Sequence, residues 1–272
     1  GLAPARVEFV WEPGKFLTFH PNAMLFEVAD GPKAAPWTAY STGGGRVSDG
    51  TVSGAREIYS MRSMQEILAW SRRTGRAFWE YVAETEGPEI FDYMAEVWAA
   101  MQDCIRRGLE AEGVLPGGLH VRRKAASFYV KSASFSGSLK KKTLSFAYAL
   151  AVGEENASGG VVVTAPTCGS AGVLPAVLYR IKESQGLSDV KIHRALLTAG
   201  LFGNLVKTNA SIAGAEVGCQ GEVGTACAMA AAAATQLLGG SERQIEYAAE
   251  MGMEHHLGLT CDPIGGLVQA PG

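Results

Sequence analysis

Residues 90–112 read IFDYMAEVWAAMQDCIRRGLEAE, and their apolar side chains recur at the spacing of an α-helix. The apolar stripe consists of Phe91, Met94, Val97, Trp98, Met101, Ile105 and Leu109. Side chains three and four positions apart lie on one face of a helix, so the stripe predicts a long amphipathic helix that packs against a core. The sequence LPGG at residues 115–118 ends this helix, because proline and glycine interrupt helical structure.

The same helical period governs most of the chain on either side of this stretch. It begins near Ser63, and further helices are predicted over residues 144–153, 174–184, 189–205, 225–238 and 242–255. Ser241 is predicted to cap the last of them, and Gly239 and Gly240 to end the one before it. The alanine-rich run at 225–238 indicates a closely packed, buried helix. The three lysines at 140–142 are interpreted as a solvated turn.

The first 55 residues have a different pattern, in which apolar and polar side chains alternate. Residues 7–11 and 24–28 alternate in this way, with glycine and proline between the two runs. Alternation is typical of half-buried strands, so short antiparallel strands are predicted, one of them ending in a glycine turn at 43–45. The predicted fold class is mainly α, with a short strand-rich segment (residues 1–55) followed by an all-helical domain (residues 56–272).

Composition excludes several classes of protein. Apolar residues make up 47% and charged residues 19% of the 272 residues, as in ordinary globular proteins. The formal net charge of −3 gives no reason to expect nucleic acid as a partner, and no apolar run is long enough to span a membrane. Five cysteines without a short framework spacing argue against a secreted disulfide scaffold, so a cytoplasmic protein is expected.

Two cysteines near the end of the chain lie in glycine-rich sequences that predict turns. Cys219 lies in EVGCQGEVG and Cys261 in GLTCDPIGG. Glycine lets a bulky group approach the backbone closely. A separation of about 40 residues is a poor zinc signature, but it is compatible with an iron–sulfur cluster, whose ligands can come from distant loops. From the spacing alone, buried and inert thiols remain the alternative.

Three long motifs contain or precede these cysteines. They read EENASGGVVVTAPTCGSAGVLP at residues 154–175, KTNASIAGAEVGCQGEVG at 207–224 and MEHHLGLTCDPIGGLVQAP at 253–271. Together with HPNAM at 20–24 and YSTGGG at 40–45, they resemble the catalytic domain of the iron–sulfur-dependent bacterial L-serine dehydratases, also called L-serine ammonia-lyases. The resemblance covers most of the chain.

This resemblance implies an enzyme that deaminates L-serine to pyruvate and ammonia, in amino-acid degradation and gluconeogenesis. It implies a [4Fe–4S] cluster as the cofactor, and Cys219 and Cys261 match two of the family's three ligands. The third ligand is expected where this sequence has Gly272, so the cluster is expected to be unstable or absent in the chain as it stands. The resemblance also implies that residues 1–55 are the tail of a preceding α/β domain. The helical catalytic domain is expected to be truncated, and the protein to form a homo-oligomer or a heteromer with a β domain or subunit.

Polar residues inside the motifs are the candidates for the remaining chemistry. The residues predicted to bind the small amino-acid substrate are Thr167, Asn209, Ser211 and Glu216. Glu222, on the other side of Cys219, is the alternative to Glu216 for orienting the substrate ammonium. The predicted catalytic residues are Lys207, His255 and His256, since a general base must titrate in a useful range and reach the α-proton. Turn formation, helix capping and ordinary ion pairs are the alternative roles of the same side chains.

Two other functions remain open from the sequence. A cysteine desulfidase would use a related elimination that expels hydrosulfide, and the residues do not reveal which β-substituent is preferred. A non-catalytic subunit or remnant is supported by Gly272 and by the lack of the SSSHT stretch that the family carries in its preceding domain.

Overall fold

The computed structural model describes residues 7–12, 14–20, 22–28, 35–42, 44–51 and 58–258. The chain divides into two compact units, Gly1–Gly54 and Ala55–Gly272.

The first unit contains a small antiparallel sheet. Its strands are β1 (Ala23–Phe26), β2 (Trp37–Ser41) and β3 (Val47–Ser48), with β2 in the centre. Phe26 pairs with Trp37 across β1 and β2, and the two rings lie 5.1 Å apart. Gly44 and Gly45 adopt positive φ between β2 and β3, a conformation that glycine reaches without steric cost. The strands predicted near residues 24 and 40 are therefore present.

The strand predicted at residues 7–11 is not formed in the described part of this unit. These residues pair with no described strand, and the Phe9 and Trp11 side chains are exposed. Alternating side chains are not sufficient for a strand, because its backbone groups need a neighbouring strand as hydrogen-bond partner. The prediction for this segment is therefore wrong.

The second unit is built from helices. Its described residues form α1 (Met64–Thr74), α2 (Phe78–Glu86), α3 (Ile90–Glu110), α4 (Ala125–Ser132), α5 (Gly137–Ala157), α6 (Val173–Gln185), α7 (Asp189–Asn209), α8 (Gly214–Leu237) and α9 (Glu242–Glu254). The mainly α fold class is confirmed, and α3 coincides with the helix predicted from the apolar stripe. Among the described helices, none is long and apolar enough to cross a membrane.

Helix α7 forms the centre of the core. It packs against α2, α3 and α8, and its side chains Leu197 and Leu201 are almost fully buried. At its first turn, Asp189 accepts a hydrogen bond of 2.9 Å from the indole Nε1–H of the buried Trp98. A buried indole N–H needs such a partner, so this bond fixes the contact between α3 and the start of α7.

Helix α8 differs from its prediction. It begins at Gly214 rather than at residue 225, and it bends at Gly218, whose φ of 69° and ψ of 177° are not helical. Glycine is a poor helix former, so the glycine-rich first half of this helix was not predicted from the sequence. The second half is the alanine-rich run, where Ala226, Ala232 and Ala233 are fully or almost fully buried, as predicted for a closely packed helix.

Two other helical segments were not predicted. Helix α4 begins where the Glu154 carboxylate accepts hydrogen bonds from the backbone N–H groups of Lys124, at 2.5 Å, and Ala125, at 3.2 Å. The three lysines at 140–142 are exposed to solvent as expected, but they lie in the first turns of α5 and not in a turn between elements.

At α9, Ser241 occupies the predicted N-cap and forms a capping box with Gln244.

Candidate active site

A loop of the second unit, residues 164–172, carries buried hydroxyl groups. It contains a cis peptide bond between Ala165 and Pro166 and runs directly into α6. Thr167 and Ser170 are both buried, and their hydroxyl oxygens lie 3.2 Å apart. Ser170 donates to the carbonyl oxygen of Ala165 at 3.3 Å. The loop thus holds the Thr167 hydroxyl in one position at the start of α6.

The Glu222 carboxylate of α8 meets this loop. The Thr167 hydroxyl donates a hydrogen bond to Glu222 Oε1. A Cβ atom at Gly169 would lie 2.5 Å from the same oxygen, and one at Gly214 would lie 3.0 Å from Glu222 Oε2. Both positions therefore need glycine for the carboxylate to lie where it does. Glu222 is half-buried, so its charge is partly withdrawn from water.

Cys219 lies immediately after the bend in α8. It was predicted to lie in a turn, but it occupies the first position of the helical segment that follows Gly218, and its side chain is partly exposed. Glu222 is three residues further on and therefore lies on the next turn, on nearly the same side of the helix. A thiol and a carboxylate are thereby brought to one end of this helical segment.

The residues that precede Cys219 form the link between α7 and α8. Ser211 donates to the Glu216 carboxylate and accepts from the backbone N–H of Ala213 at 3.1 Å. The Asn209 amide donates to the carbonyl oxygens of Arg62, at 2.8 Å, and Leu205, at 2.9 Å. Through these contacts, Ser211, Asn209 and Glu216 shape the link between α7 and α8.

Lys207 lies exposed in the last turn of α7. A lysine in this position interacts favourably with the negative end of the helix dipole. Of the residues predicted to bind substrate, Thr167 is the one that contacts Glu222.

The two histidines lie at the end of α9 in different surroundings. His256 Nδ1 lies 2.8 Å from the carbonyl oxygen of Gly252, and its Nε2 lies 3.4 Å from the sulfur of Cys227. A carbonyl oxygen only accepts, so Nδ1 carries the proton and Nε2 accepts from the Cys227 thiol. Burial raises the pKa of Cys227, which keeps that thiol protonated as a donor.

His255 is exposed, and its Nδ1 lies 2.6 Å from the carbonyl oxygen of Met251. The same reasoning places its proton on Nδ1 and leaves a lone pair on Nε2. The described residues provide no hydrogen-bond partner for that Nε2.

The end of α9 returns to the start of the second segment of α8. The backbone N–H of Gly258 donates to the side-chain oxygen of Gln220 at 3.2 Å, and Gln220 follows Cys219 directly. Cys261 and Gly272, the other positions in the predicted cluster site, lie outside the described residues. Within the described ranges, no three His, Cys, Asp or Glu side chains are grouped closely enough to hold a metal ion.

Cys104 and Cys168 differ in their surroundings. Cys104 of α3 is buried, and burial raises the pKa of its thiol to about 11. Cys168, in the loop beside Thr167, is exposed. Two surface grooves of about 570 and 480 Å³ lie along α3, α4, α5 and α6, and none of the predicted site residues lines them.

Sequence reasoning weighed Glu222 against Glu216 and selected Glu216. The structure instead brings Glu222 to Thr167, a residue 55 positions away in sequence. The glycines at 169 and 214, both inside the quoted motifs, are the signal that could have identified it, since each leaves space for this carboxylate.

Comparison with known proteins gives the family of the chain. Residues 53–271 match the family model described as serine dehydratase alpha chain. The chain is 47% identical over 275 residues to an L-serine dehydratase of Streptomyces coelicolor, and 45% identical over 273 residues to L-serine dehydratase 1 of Escherichia coli. It is 38% identical over 282 residues to an L-serine dehydratase of Helicobacter pylori.

The matches to the Streptomyces and Escherichia proteins cover 94% of this chain and 60% of each relative. The match to the Helicobacter protein covers 94% of this chain and 61% of that relative. The chain thus spans about three fifths of the length of the curated relatives that it matches. On the family match and these identities together, the chain belongs to the serine dehydratase alpha chain family.

Proposed function

We propose that this chain contains the site at which L-serine is deaminated to pyruvate and ammonia, with a [4Fe–4S] cluster as cofactor. The observation that carries the proposal is the Thr167–Glu222 contact one helical turn from Cys219, because it joins two of the sequence motifs at one place. The names of relatives at 38–47% identity support L-serine as the substrate.

The reaction sets two requirements for the site. The α-proton of L-serine must pass to a base, and the β-hydroxyl must leave with the C–O bond electrons and take up a proton as water. The product, aminoacrylate, tautomerises to an imine, and water then releases ammonia and leaves pyruvate. The substrate enters with an ammonium and a carboxylate group, so the site needs a group of opposite charge for at least one of them.

Glu222 is assigned to the substrate ammonium. Its Oε1 already accepts from Thr167, which orients the carboxylate, and Oε2 retains acceptor capacity for a second donor. Partial burial strengthens an ion pair with an ammonium group compared with the same pair in water. Thr167 and Ser170 act in this proposal as positioning residues, since the Thr167 hydroxyl donates to the carboxylate and the Ser170 hydroxyl contacts that of Thr167.

Cys219 and Cys261 are assigned to the cluster. Cys219 follows Gly218, which leaves the backbone open on that side, and a thiol at the start of a helical segment favours the thiolate that binds metal. Cys261 is three residues beyond Gly258, which bonds to Gln220, and three residues span at most about 11 Å. When bound, an iron with an open position would act as a Lewis acid toward the departing hydroxyl oxygen.

The proton acceptor is assigned to His255. Its Nε2 carries a lone pair and has no hydrogen-bond partner among the described residues, whereas both ring nitrogens of His256 are engaged. His256 is assigned instead to holding the end of α9 against α8 through Cys227. Lys207, at the end of α7, is the alternative to His255 as the catalytic residue.

Three wider proposals follow the family membership. Residues 56–272 are assigned to the helical catalytic domain, and residues 1–55 to the strand-rich tail of a preceding α/β domain. The active protein assembles as a homo-oligomer or with a β domain or subunit. The protein is assigned to the cytoplasm, because its five cysteines lack the short framework spacing of a secreted disulfide scaffold.

The test is an assay of pyruvate from L-serine, with L-cysteine for comparison, after anaerobic reconstitution with iron and sulfide. The decisive variant is Gly169→Ala, because its Cβ would lie 2.5 Å from Glu222 Oε1 and displace the carboxylate by about 1 Å. A displacement of this size costs about a hundredfold in turnover when the group orients the substrate. Gly200→Ala is the matched control, since its Cβ would meet no atom within 4 Å.

The expected result is pyruvate formation from L-serine, a large loss in Gly169→Ala with unchanged iron content and thermal stability, and full activity in Gly200→Ala. Full activity of Gly169→Ala would remove Glu222 from the mechanism. Reconstituted protein that contains iron and sulfide but forms no pyruvate from L-serine would refute the function itself.

A further inference from the structure

The first half of the motif at residues 154–175 has no part in the site described above. It reads EENASGG, and it forms the end of α5 and the start of the chain that leads to α6. Glu154 and Glu155 are both buried, although a carboxylate is seldom buried without a partner. Glu154 caps α4, so the role of the motif depends on the partners of Glu155.

The Glu155 carboxylate lies between two guanidinium groups. Arg107 Nε of α3 lies 3.2 Å from Glu155 Oε2, and Arg123 Nη1 lies 3.2 Å from Glu155 Oε1. The Glu155 and Arg123 side chains are each only 10% exposed, whereas that of Arg107 is 41% exposed. Water therefore screens the inner pair weakly, and the two cations hold the carboxylate from both sides. These three side chains are called the ion cluster.

Both arginines of the ion cluster also bind the segment that follows α5, residues 158–163. Arg107 Nη2 donates to the Val161 carbonyl oxygen at 2.7 Å, and Arg123 Nη2 donates to the Ser158 hydroxyl oxygen at 2.7 Å. Hydrogen bonds from a planar, charged guanidinium group fix direction as well as distance. The ion cluster therefore holds this segment at both positions.

Gly160, inside the same segment, lies against the carboxylate of the ion cluster. Its backbone N–H donates to the Glu155 carbonyl oxygen at 2.8 Å, and a Cβ atom at this position would lie 2.8 Å from Glu155 Oε2. A side chain at Gly160 would push the carboxylate and the segment apart. The position needs glycine for the same reason as Gly169 and Gly214, which leave space for Glu222.

From Val161 the chain runs directly to Thr167. Val162 packs against the smaller of two buried apolar clusters, and Val163 packs against the larger one. Successive side chains of an extended segment point to opposite sides, so this segment is enclosed between two parts of the core. Ala165, two residues before Thr167, is only 1% exposed. A close-packed segment has little freedom to absorb a shift at one end, so the position of Val161 influences that of Thr167.

We propose that the ion cluster positions Thr167 and, through it, the Glu222 carboxylate that orients the substrate. Arg107 and Arg123 are positioning residues in this scheme, because they act through the 158–163 segment and not on the substrate. The part that concerns the substrate rests on the proposed function, whereas the effect on the position of Thr167 does not.

The test compares Arg107→Gln with Arg106→Gln. The first variant removes one cation and the bond to Val161, while Glu155 keeps its second arginine, so the helical unit is expected to remain folded. Arg106 is the next residue along α3, is exposed, and forms an ion pair of 2.8 Å with Asp103. Arg106→Gln is therefore a control matched in chemistry and in location.

Hydrogen–deuterium exchange of the complete chain, without iron, is the readout that does not depend on catalysis. The backbone N–H groups of Ala165 and Ala171 donate to carbonyl oxygens of the same loop. In Arg107→Gln these amides are expected to exchange about tenfold faster, with a change of at most about twofold in α9. Arg106→Gln should exchange like the wild type. Unchanged exchange in the loop, or equally faster exchange in the loop and in α9, overturns the proposal.

Pyruvate formation by the reconstituted protein tests the connection to the substrate. Arg107→Gln is expected to lower kcat/KM about tenfold at unchanged iron content, since it shifts Thr167 by less than Gly169→Ala displaces the carboxylate. Arg107→Lys restores a cation near both acceptors and should recover kcat/KM to within about threefold of the wild type. Full activity of Arg107→Gln, or no recovery with lysine, overturns the role in catalysis.

A double variant separates positioning from a general loss of stability. In Gly169→Ala the carboxylate is already displaced, so adding Arg107→Gln should lower kcat/KM by less than about twofold more. Independent losses would multiply and give the full tenfold decrease, which would contradict an action through Thr167 and Glu222.

Gly160→Ala perturbs the ion cluster without removing a charge, which keeps the proposal testable if Arg107→Gln does not fold. It should give the same faster exchange in the loop and a similar loss of pyruvate formation. Gly153→Ala is its control on α5, because the added Cβ would meet no atom within 4 Å. Equal behaviour of these two variants overturns the proposal. If the wild type forms no pyruvate, the proposed function is refuted, and the exchange data alone decide whether the ion cluster positions Thr167.

Discussion

Gly108→Ala is expected to destabilise the helical unit through the crossing of α3 and α5. A Cβ at position 108 would lie 2.3 Å from the Ala151 carbonyl oxygen, 2.6 Å from its carbonyl carbon and 2.7 Å from its Cα. These atoms belong to the backbone, so no side-chain rotation relieves the overlap. The two helices would have to separate by about 1 Å to restore van der Waals contact. Overpacking of this kind costs about 3 kcal/mol, and the better helix propensity of alanine offsets about 1 kcal/mol of that.

The net loss of about 2 kcal/mol corresponds to a decrease in Tm of about 4–8 °C for a unit of this size. The assay is thermal unfolding followed by far-UV circular dichroism, with urea unfolding to obtain the free energy. Gly153→Ala on α5 is the matched control, because its Cβ would meet no atom within 4 Å. Replacing a glycine inside a helix by alanine should raise the free energy of unfolding of this variant by about 0.5–1 kcal/mol. If Gly108→Ala is as stable as Gly153→Ala, the close backbone contact at the α3–α5 crossing does not exist as described.

Three further results are expected. The hydrogen bond from Lys182 holds the pKa of Asp189 below its ordinary value of 3.8, so this carboxylate stabilises the fold above that pH and loses its effect as the pH falls through the lowered pKa. Asp189→Asn keeps an acceptor for Trp98 but removes the charge. In urea unfolding it should lower the free energy of unfolding by about 0.5 kcal/mol at pH 7 and leave it unchanged near pH 2. An equal loss at both pH values would contradict the charge-based explanation. With a thiol pKa of about 11, about one Cys104 thiol in a thousand is ionised at pH 8. Peptide mass spectrometry should therefore find exposed Cys168 alkylated before Cys104, and faster labelling of Cys104 would mean that α3 is not packed as described. Chelation of iron from reconstituted protein should abolish pyruvate formation and leave helix content unchanged, and activity without iron would exclude the proposed cofactor.

The helices were predictable where their own side chains determine them. The apolar stripe of α3 has the helical period over its whole length, and the cap of α9 is local, since Ser241 and Gln244 are three residues apart. Helix α4 was missed because its first N–H groups are satisfied by Glu154, about 30 residues away in sequence. No property of the short segment itself signals that partner.

The candidate site was predictable in part. The motifs contain Thr167 and Cys219, which were both predicted as site residues. Their residue sequences also predicted the family, which the family model confirms. The selection of Glu222 over Glu216 depends on a contact between residues 55 positions apart, and the distinction between the histidines depends on a thiol from another helix. Contacts of this kind become visible only when α8 is packed against its neighbours.

The sequence by itself determined that most of the chain is helical, which helices carry apolar faces, and to which family it belongs, because period and motif are properties of neighbouring residues. Only the tertiary structure decided that Cys219 begins a helical segment after a bend, and that Glu222 is the carboxylate held by Thr167. Each of these depends on packing between distant segments, which outweighs local propensity where glycine leaves the backbone free to bend.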